Sequence, residues 1–158
     1  MSDHSQLMEQ AIATCRAGIA AGQSPFGAVI ATCDGDVVCA VHNTVRQDTD
    51  PTAHAEINAI RAASRKLGTM NLIGHYLVST CEPCPMCASA IHWARLDAVV
   101  FGATIADASK AMFNELTVPV QQLYDSGGSH VKLYPRVLRE RCQALFDEWR
   151  DGPNAKPY

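Results

Sequence analysis

The chain has 158 residues, a formal net charge of −3 and 47% hydrophobic residues. This length and composition fit one globular domain, which we expect to span residues 1–158. The sequence has no run of Lys and Arg that would favour nucleic-acid binding, and no apolar run long enough to cross a bilayer. Met1 to His4 lack the basic start and apolar core of a signal peptide, so the expected location is cytoplasmic.

The first third of the chain predicts a helix, a β-hairpin and a second helix. Apolar residues at helical spacing stop before Gly22, and the later helix stops at Gly68. The pair Asp34-Gly35 lies between two apolar runs and is typical of a hairpin turn. The predicted elements are a helix over 5–21, strands over 26–32 and 37–42, a polar loop over 43–52 and a helix over 53–67.

The remaining sequence alternates strands and helices. Pro85 is compatible with a first helical turn, where a missing N–H costs nothing, whereas Pro119 interrupts a partly helical segment. The predicted elements are strands over 75–80, 98–102 and 130–134, a helix over 84–95, a mixed segment over 105–125, a last helix over 138–149 and a polar tail over 151–158. This order predicts an α/β fold, with a mixed sheet covered by helices and sites where strand ends meet helix starts.

The seven cysteines fall into two groups. Four are scattered among apolar neighbours: Cys15, Cys33, Cys39 and Cys142. In a reducing compartment we expect these four to be small core residues. The other three, Cys81, Cys84 and Cys87, are clustered, which indicates metal or catalytic chemistry.

Two short motifs together predict a catalytic metal site. His54-Ala55-Glu56 and Cys84-Pro85-Met86-Cys87 each begin a predicted helix. Zinc prefers imidazole and thiolate ligands, and cysteines three apart can face one point from a single helical turn. Three protein ligands leave the fourth zinc position to water, as in catalytic sites. Glu56 lies two residues from His54, so it can approach that water without being a ligand and can transfer its protons.

Cys81 keeps two other interpretations open. It could join His54, Cys84 and Cys87 in a closed Cys3His site, which would be structural and would leave Glu56 without a role. Cys81-Glu82-Pro83-Cys84 also has the spacing of a redox pair.

The two motifs resemble the signature of the cytidine deaminase-like superfamily, carried here by residues 50–56 and 81–87. The resemblance extends from the first helix to the fourth strand. It implies a three-layer α/β/α fold with a five-stranded mixed sheet, one Zn²⁺ per subunit and a homodimer. By position it implies that His54, Cys84 and Cys87 are the ligands and that Glu56 carries protons. The implied reaction is attack of water on the ring carbon bearing an amino group, followed by loss of ammonia.

Within that superfamily the sequence is most similar to bacterial guanine deaminases. The similarity rests on residues 24–30, 50–56 and 91–95, and on the ending from Trp149 to Tyr158. In that branch the terminal tyrosine reaches an active site, often that of a neighbouring subunit. Tyr158 is therefore a candidate substrate contact within the tail 151–158, and the alternative is a frayed end.

The resemblance also implies contacts with the base. Asn43 matches a base-contacting asparagine, and the backbone N–H groups near Ala55 and Cys84 would face the attacking oxygen. Phe26 either stacks on the ring or fills the core. Guanine presents an N1–H and an amino group, which require an acceptor. The branch has two aspartates after a phenylalanine, and this chain has Asn114 and Glu115 there, so one carboxylate is kept with an extra methylene.

We therefore expect deamination of a free base in purine catabolism: guanine to xanthine and ammonia, or a related ring such as isocytosine. One alternative is a cytosine deaminase. Another is a tRNA adenosine deaminase, whose fourth strand is similar to residues 99–103 but which needs a basic surface for RNA. The non-enzymatic alternative is a structural zinc module.

Overall fold

The computed structural model describes residues 4–156, which form seven helices and five strands. In chain order they are α1 (His4–Ala20), β1 (Gly27–Thr32), β2 (Val37–His42), α2 (Val45–Asp48), α3 (Ala55–Leu67), β3 (His75–Cys81), α4 (Pro85–Trp93), β4 (Ala98–Ala103), α5 (Ile105–Lys110), α6 (Val120–Gly127), β5 (Lys132–Tyr134) and α7 (Arg139–Arg150). None of the helices in this part of the chain is long and apolar enough to cross a membrane.

The five strands form one mixed sheet in the order β2-β1-β3-β4-β5. Strand β1 is antiparallel to both β2 and β3, whereas β3, β4 and β5 run parallel. Two apolar cores lie on opposite faces of the sheet. One is filled mainly from α1 and α7, and the other mainly from α3, α4 and α6. This is the expected three-layer α/β/α arrangement with a five-stranded mixed sheet.

Two segments of the sequence needed the structure to define them. The short helix α2 lies inside the predicted polar loop 43–52, where four polar-rich residues give no apolar periodicity. The mixed segment 105–125 consists of α5, an irregular loop over 111–119 and α6, which begins directly after Pro119. The interruption predicted at Pro119 is therefore confirmed.

Close packing between α1 and the sheet depends on Gly27, the first residue of β1. A Cβ at this position would lie against the carbonyl oxygen of Ala11 and 2.8 Å from the backbone nitrogen of Cys15. Neither backbone atom can move aside without displacing the helix. Gly27 thus lets α1 approach the sheet immediately after Phe26, whose side chain lines the candidate site.

The scattered cysteines are only partly core residues. Cys15 and Cys142 are buried and Cys39 is partly buried, but Cys33 is exposed. The expectation for Cys33 was wrong because it lies in the tight hairpin turn before Gly35, where the chain faces solvent. All seven cysteines are free thiols.

Candidate active site

The two motifs meet because two helices begin at the same place. His54 is the N-cap of α3 and Cys84 the N-cap of α4, each with extended backbone, and Cys87 lies in the first turn of α4. Nδ1 of His54 is 3.7 Å from Sγ of Cys84 and 3.6 Å from Sγ of Cys87. All three potential ligand atoms lie within 4.8 Å of one another.

This spacing fits a tetrahedral zinc ion. Zn–N and Zn–S bonds of about 2.05 and 2.3 Å at a tetrahedral angle would separate nitrogen from sulfur by about 3.6 Å. The observed separations of 3.6 and 3.7 Å agree with that value. His54, Cys84 and Cys87 could therefore hold zinc through Nδ1 and two sulfurs with little rearrangement.

Cys81 does not belong to this cluster. Its thiol is buried and points to the carbonyl oxygen of Thr104, at 3.6 Å. Within the described part of the chain, the group whose ligand atoms converge consists of the other three residues alone. Burial also raises the pKa of Cys81 well above its ordinary value, which is typical of an unreactive thiol. The geometry thus favours three protein ligands over the closed Cys3His site and the redox pair.

The helix N-terminus and the neighbouring side chains favour an anionic sulfur at Cys84. The hydrogen bond with Cys87 is the main cause that lowers the pKa of Cys84 to about 4, and contact with His54 lowers it further despite burial. The partial positive charge at the start of α4 acts in the same direction. A thiolate is the form in which cysteine binds zinc.

Glu56 lies in the first turn of α3 and is only 6% exposed. Ser79 Oγ is 3.5 Å from its Oε1. Burial raises the pKa of Glu56 to about 7, although the nearby His54 opposes this shift. A carboxyl group with such a pKa can both accept and donate a proton near neutral pH.

A cavity of about 210 Å³ opens onto Glu56 and the metal cluster. It brings together residues from distant parts of the chain. The residues that line it are Phe26, Pro51, His54, Glu56, Cys81, Glu82, Cys84, Phe113, Asn114 and Glu115. The cavity is small, partly apolar and carries convergent polar groups, which is typical of a site for a small planar ligand.

Phe26 forms one apolar wall of the cavity. Its ring packs edge-on against Phe113, at 5.0 Å between ring centroids, and against Phe146, at 6.0 Å. Phe26 therefore joins the core while leaving part of its surface on the cavity. The core role of Phe26 is confirmed, and its stacking on a ring stays a prediction.

Asn43 is fully buried next to this wall. Its backbone N–H donates to the carbonyl oxygen of Phe26, and its Nδ2 donates to the carbonyl oxygen of Ser24. Its Oδ1 has no hydrogen-bond partner among residues 4–156. A buried acceptor left in this state is costly, so it is well suited to receive a donor from a ligand.

Ala55 packs its side chain into the core beneath the sheet. The side chain cannot reach a ligand, so only the backbone N–H of Ala55 at the start of α3 is available for one. Neither Ala55 nor Asn43 is among the residues that line the cavity.

Glu115 and Asn114 reach the cavity from the loop 111–119. Burial is the main cause that raises the pKa of Glu115, and repulsion from Cys84 acts in the same direction. Asn114 is more exposed than Glu115. A partly buried carboxylate facing the metal cluster is an acceptor for ligand N–H groups.

The structure adds Glu82 to the site, which the sequence did not single out. Glu82 lines the cavity between Cys81 and Cys84, and its carboxylate accepts hydrogen bonds from two helix starts. Its signal in the sequence was its position within the motif 81–87, between the clustered cysteines. Tyr158, the remaining predicted contact, lies outside the described residues.

Comparisons with known proteins agree with this geometry. Residues 1–103 match the family model for the cytidine and deoxycytidylate deaminase zinc-binding region. Guanine deaminase of Bacillus subtilis (strain 168) is 37% identical over 157 residues, which cover 99% of each chain. A solved structure of guanine deaminase from Nitrosomonas europaea is 27% identical with a TM-score of 0.88, covering 96% of this chain and 87% of that one.

A second branch is also similar over a shorter span. The tRNA-specific adenosine deaminase of Aquifex aeolicus (strain VF5) is 44% identical over 82 residues, 52% of this chain and 54% of that protein.

Proposed function

This chain belongs to the cytidine and deoxycytidylate deaminase zinc-binding family, and from that membership we propose that it hydrolyses free guanine to xanthine and ammonia. It is a zinc-dependent aminohydrolase. The observation that carries the proposal is that His54, Cys84 and Cys87 converge beside buried Glu56, on a small cavity that also contains Glu115.

We assign the metal to His54 Nδ1 and the sulfurs of Cys84 and Cys87. Zinc, when bound, lowers the pKa of a coordinated water toward about 7 and so supplies a nucleophile at neutral pH. Glu56 takes a proton from the attacking water and delivers it to the departing amino nitrogen. Burial of Glu56 keeps bulk water from competing for this proton.

Recognition of the ring is assigned to four side chains. The carboxylate of Glu115 accepts the ring N–H next to the carbon that bears the amino group. Asn43 does not itself line the cavity, but its backbone is bonded to that of Phe26, and we assign a second ring donor to its Oδ1, which has no other partner within residues 4–156. Phe26 covers one face of the ring, and Asn114 closes the exposed rim.

The carboxylate of Glu115 would also discriminate between the candidate substrate bases. Guanine and isocytosine carry an N–H next to the carbon that bears the amino group. Cytosine has an unprotonated ring nitrogen and a C–H at those positions, so its nitrogen lone pair would face the carboxylate. A site that pairs with a donor rejects analogues lacking it. A tRNA loop is disfavoured because the net charge of −3 gives no attraction for phosphates.

A substrate panel tests this proposal. Zinc-loaded protein is assayed for ammonia release from guanine, isocytosine, cytosine, adenine and a tRNA anticodon loop. The matched control is Glu56→Gln, which keeps the shape of the side chain but cannot carry protons. We expect turnover of guanine first and isocytosine second, with loss of turnover and full zinc content in the control. Preference for the tRNA loop would contradict the proposal, and absence of any turnover would favour a structural zinc module.

We also propose that the protein acts in the cytoplasm as a homodimer in purine catabolism. The free state of all seven cysteines is compatible with a reducing compartment. Light scattering of the purified protein measures the assembly directly, and a monomeric mass would contradict the dimer.

A further inference from the structure

One carboxylate holds the starts of two helices. Oε2 of Glu82 accepts the backbone N–H of Ile105 at 3.0 Å, and Oε1 accepts the backbone N–H of Val120 at 2.9 Å. Ile105 is the first residue of α5, and Val120 is the first residue of α6. First-turn N–H groups have no partner within their own helix, and negative charge is favourable at a helix N-terminus. Both bonds are of the charge-assisted kind.

The segment between Ile105 and Val120 carries two of the residues to which ring recognition is assigned. It runs from α5 through the loop 111–119 to the start of α6, and it places Asn114 and Glu115 on the cavity. Glu82 therefore anchors both ends of this segment at a single point. That point lies two residues from Cys84, so the loop is fixed relative to the metal cluster.

The two ends depend on Glu82 unequally. The start of α5 has a second anchor, since Thr104 and Asp107 form a capping box there. The start of α6 follows Pro119, whose side chain has no group that can accept a hydrogen bond, and no side-chain cap is formed. Glu82 thus supplies the side-chain cap that the N-cap residue of α6 cannot. The backbone of Glu82 is itself held to the end of β4, because its N–H donates to the carbonyl oxygen of Ala103 at 2.8 Å.

We propose that Glu82 is a positioning residue that sets the distance between Glu115 and the metal cluster and so determines which ring is accepted. This inference rests on the proposed function, because it acts through the ring contact of Glu115. Both oxygens of Glu82 are engaged by backbone N–H groups, so its effect on the substrate is indirect. A displacement of about 1 Å in such a group can lower the rate about 100-fold.

The test substitution is Glu82→Gln, which keeps the size of the side chain but replaces one acceptor by an N–H₂ group facing a backbone N–H. We expect kcat/KM for guanine to fall about 10- to 100-fold, with one zinc per chain retained. Glu82→Asp, which keeps the charge but is too short to reach both helices, is expected to lose activity as well. It serves as the second variant where Glu82→Gln folds poorly.

Asp107→Asn is the matched control, because it removes the charge and one acceptor oxygen from the second anchor of α5 without touching the cavity or α6. It is expected to lower the melting temperature while kcat/KM stays within about twofold of the parent protein. Hydrogen exchange over residues 111–120 gives a readout that does not depend on activity. Exchange there is expected to accelerate in Glu82→Gln and to remain near the parent rate in Asp107→Asn.

A double-mutant cycle with Glu115→Ala separates positioning from general destabilisation. If Glu82 acts through Glu115, adding Glu82→Gln to Glu115→Ala leaves kcat/KM within about twofold. Independent multiplication of the two losses would overturn the proposal, as would an unchanged exchange rate over 111–120. If the parent protein does not deaminate guanine, the proposed function fails, and the exchange experiment still decides whether Glu82 fixes the loop.

Discussion

Cys81 and Cys84 are three residues apart and occupy opposite chemical environments. Cys81 is the last residue of β3. Its thiol donates a hydrogen bond to a carbonyl oxygen, and burial raises its pKa. Cys84 caps α4, where its pKa falls to about 4, chiefly through the hydrogen bond with Cys87. At the scale of single residues, the backbone direction at each cysteine decides whether its sulfur is an inert core atom or a candidate metal ligand.

Zinc content distinguishes these two roles. We expect Cys84→Ala to lose stoichiometric zinc because one of three ligands is removed. Cys81→Ala, the matched variant, is expected to keep one zinc per chain, since its sulfur lies outside the cluster. Elemental analysis of the purified, dialysed variants measures both. Loss of zinc from Cys81→Ala would point to a closed, four-ligand site.

The second prediction at the scale of single residues concerns the carboxylate of Glu115. Glu115→Ala removes the acceptor for the ring N–H, and we expect kcat/KM for guanine to fall by roughly 10- to 150-fold, the range for a hydrogen bond to a charged group. Zinc content should not change.

Asn114→Ala is the control for Glu115→Ala, because Asn114 lines the same loop at a more exposed position. It is expected to have the smaller effect on guanine turnover, measured as steady-state ammonia release. Parent-level activity of Glu115→Ala would remove Glu115 from the site.

At the scale of elements, helix N-termini recur as the organising feature. Helices α3 and α4 present His54 and Cys84 at their N-caps, and α5 and α6 both begin on Glu82. Two helix starts thus lie on the cavity, and two more are held by Glu82, which lines it. The partial positive charge at the start of α4 favours the thiolate of Cys84, whereas burial raises the pKa of Glu56 and Glu115 and disfavours their charged forms.

Asp107 gives this scale a pH-dependent prediction. Burial alone would raise the pKa of Asp107, but hydrogen bonds from the Thr104 backbone, Arg139 and Gln143 outweigh it and lower the pKa to about 2. Because the pKa of Asp107 is lower in the folded state than in the unfolded state, its charge stabilises the fold when the pH is above the unfolded-state pKa of about 4. That contribution is lost as the pH falls toward 2.

The Asp107→Asn variant should therefore be less stable than the parent protein at pH 7. Its stability should also fall less than that of the parent protein as the pH is lowered. Urea midpoints at pH 7, 4 and 2.5 are compared for the two proteins, and the gap between them is expected to narrow toward pH 2.5. A gap that stays constant across this range would show that the charge of Asp107 contributes nothing to folding.

At the scale of the whole molecule, residues 154–156 are hydrogen-bonded to α2, which precedes the metal-binding motif that begins at His54. Arg46 in α2 donates to the carbonyl oxygens of Asn154, at 2.9 Å, and Lys156, at 2.8 Å. Between them Ala155 packs against the core shared by α1 and α7. Residues up to Lys156 are thus part of the fold, so removing the whole segment 151–158 would also remove packing.

A shorter truncation tests the proposed role of Tyr158. Removing residues 157–158 keeps the contacts of Arg46 and Ala155, so the melting temperature and zinc content should be unchanged. We expect guanine turnover to fall at least about 10-fold, as for loss of a substrate contact. Lys156→Ala, which keeps the backbone carbonyl, is the control and should retain activity. Parent-level turnover after truncation would make Tyr158 dispensable.

The sequence predicted those parts of the site in which chemistry and chain order coincide. His54 and Glu56 are two residues apart, and Cys84 and Cys87 share one helical turn, so local geometry alone brings each pair together. The five strands and most helices were likewise predicted from apolar periodicity. The helix α2 and the exposure of Cys33 were not, because both depend on how a short polar segment or turn lies against the rest of the fold.

By itself, then, the sequence indicated the metal-binding residue types and the α/β order, since these follow from local spacing and periodicity, and the resemblance of its motifs indicated the deaminase family. Only the tertiary structure decided that Cys81 lies outside the ligand cluster, that Asn43 keeps a buried acceptor without a partner among residues 4–156, and that Glu82 joins two helices. Each of these depends on atoms far apart in the chain, whose separation is set by how the helices pack on the sheet rather than by any local pattern.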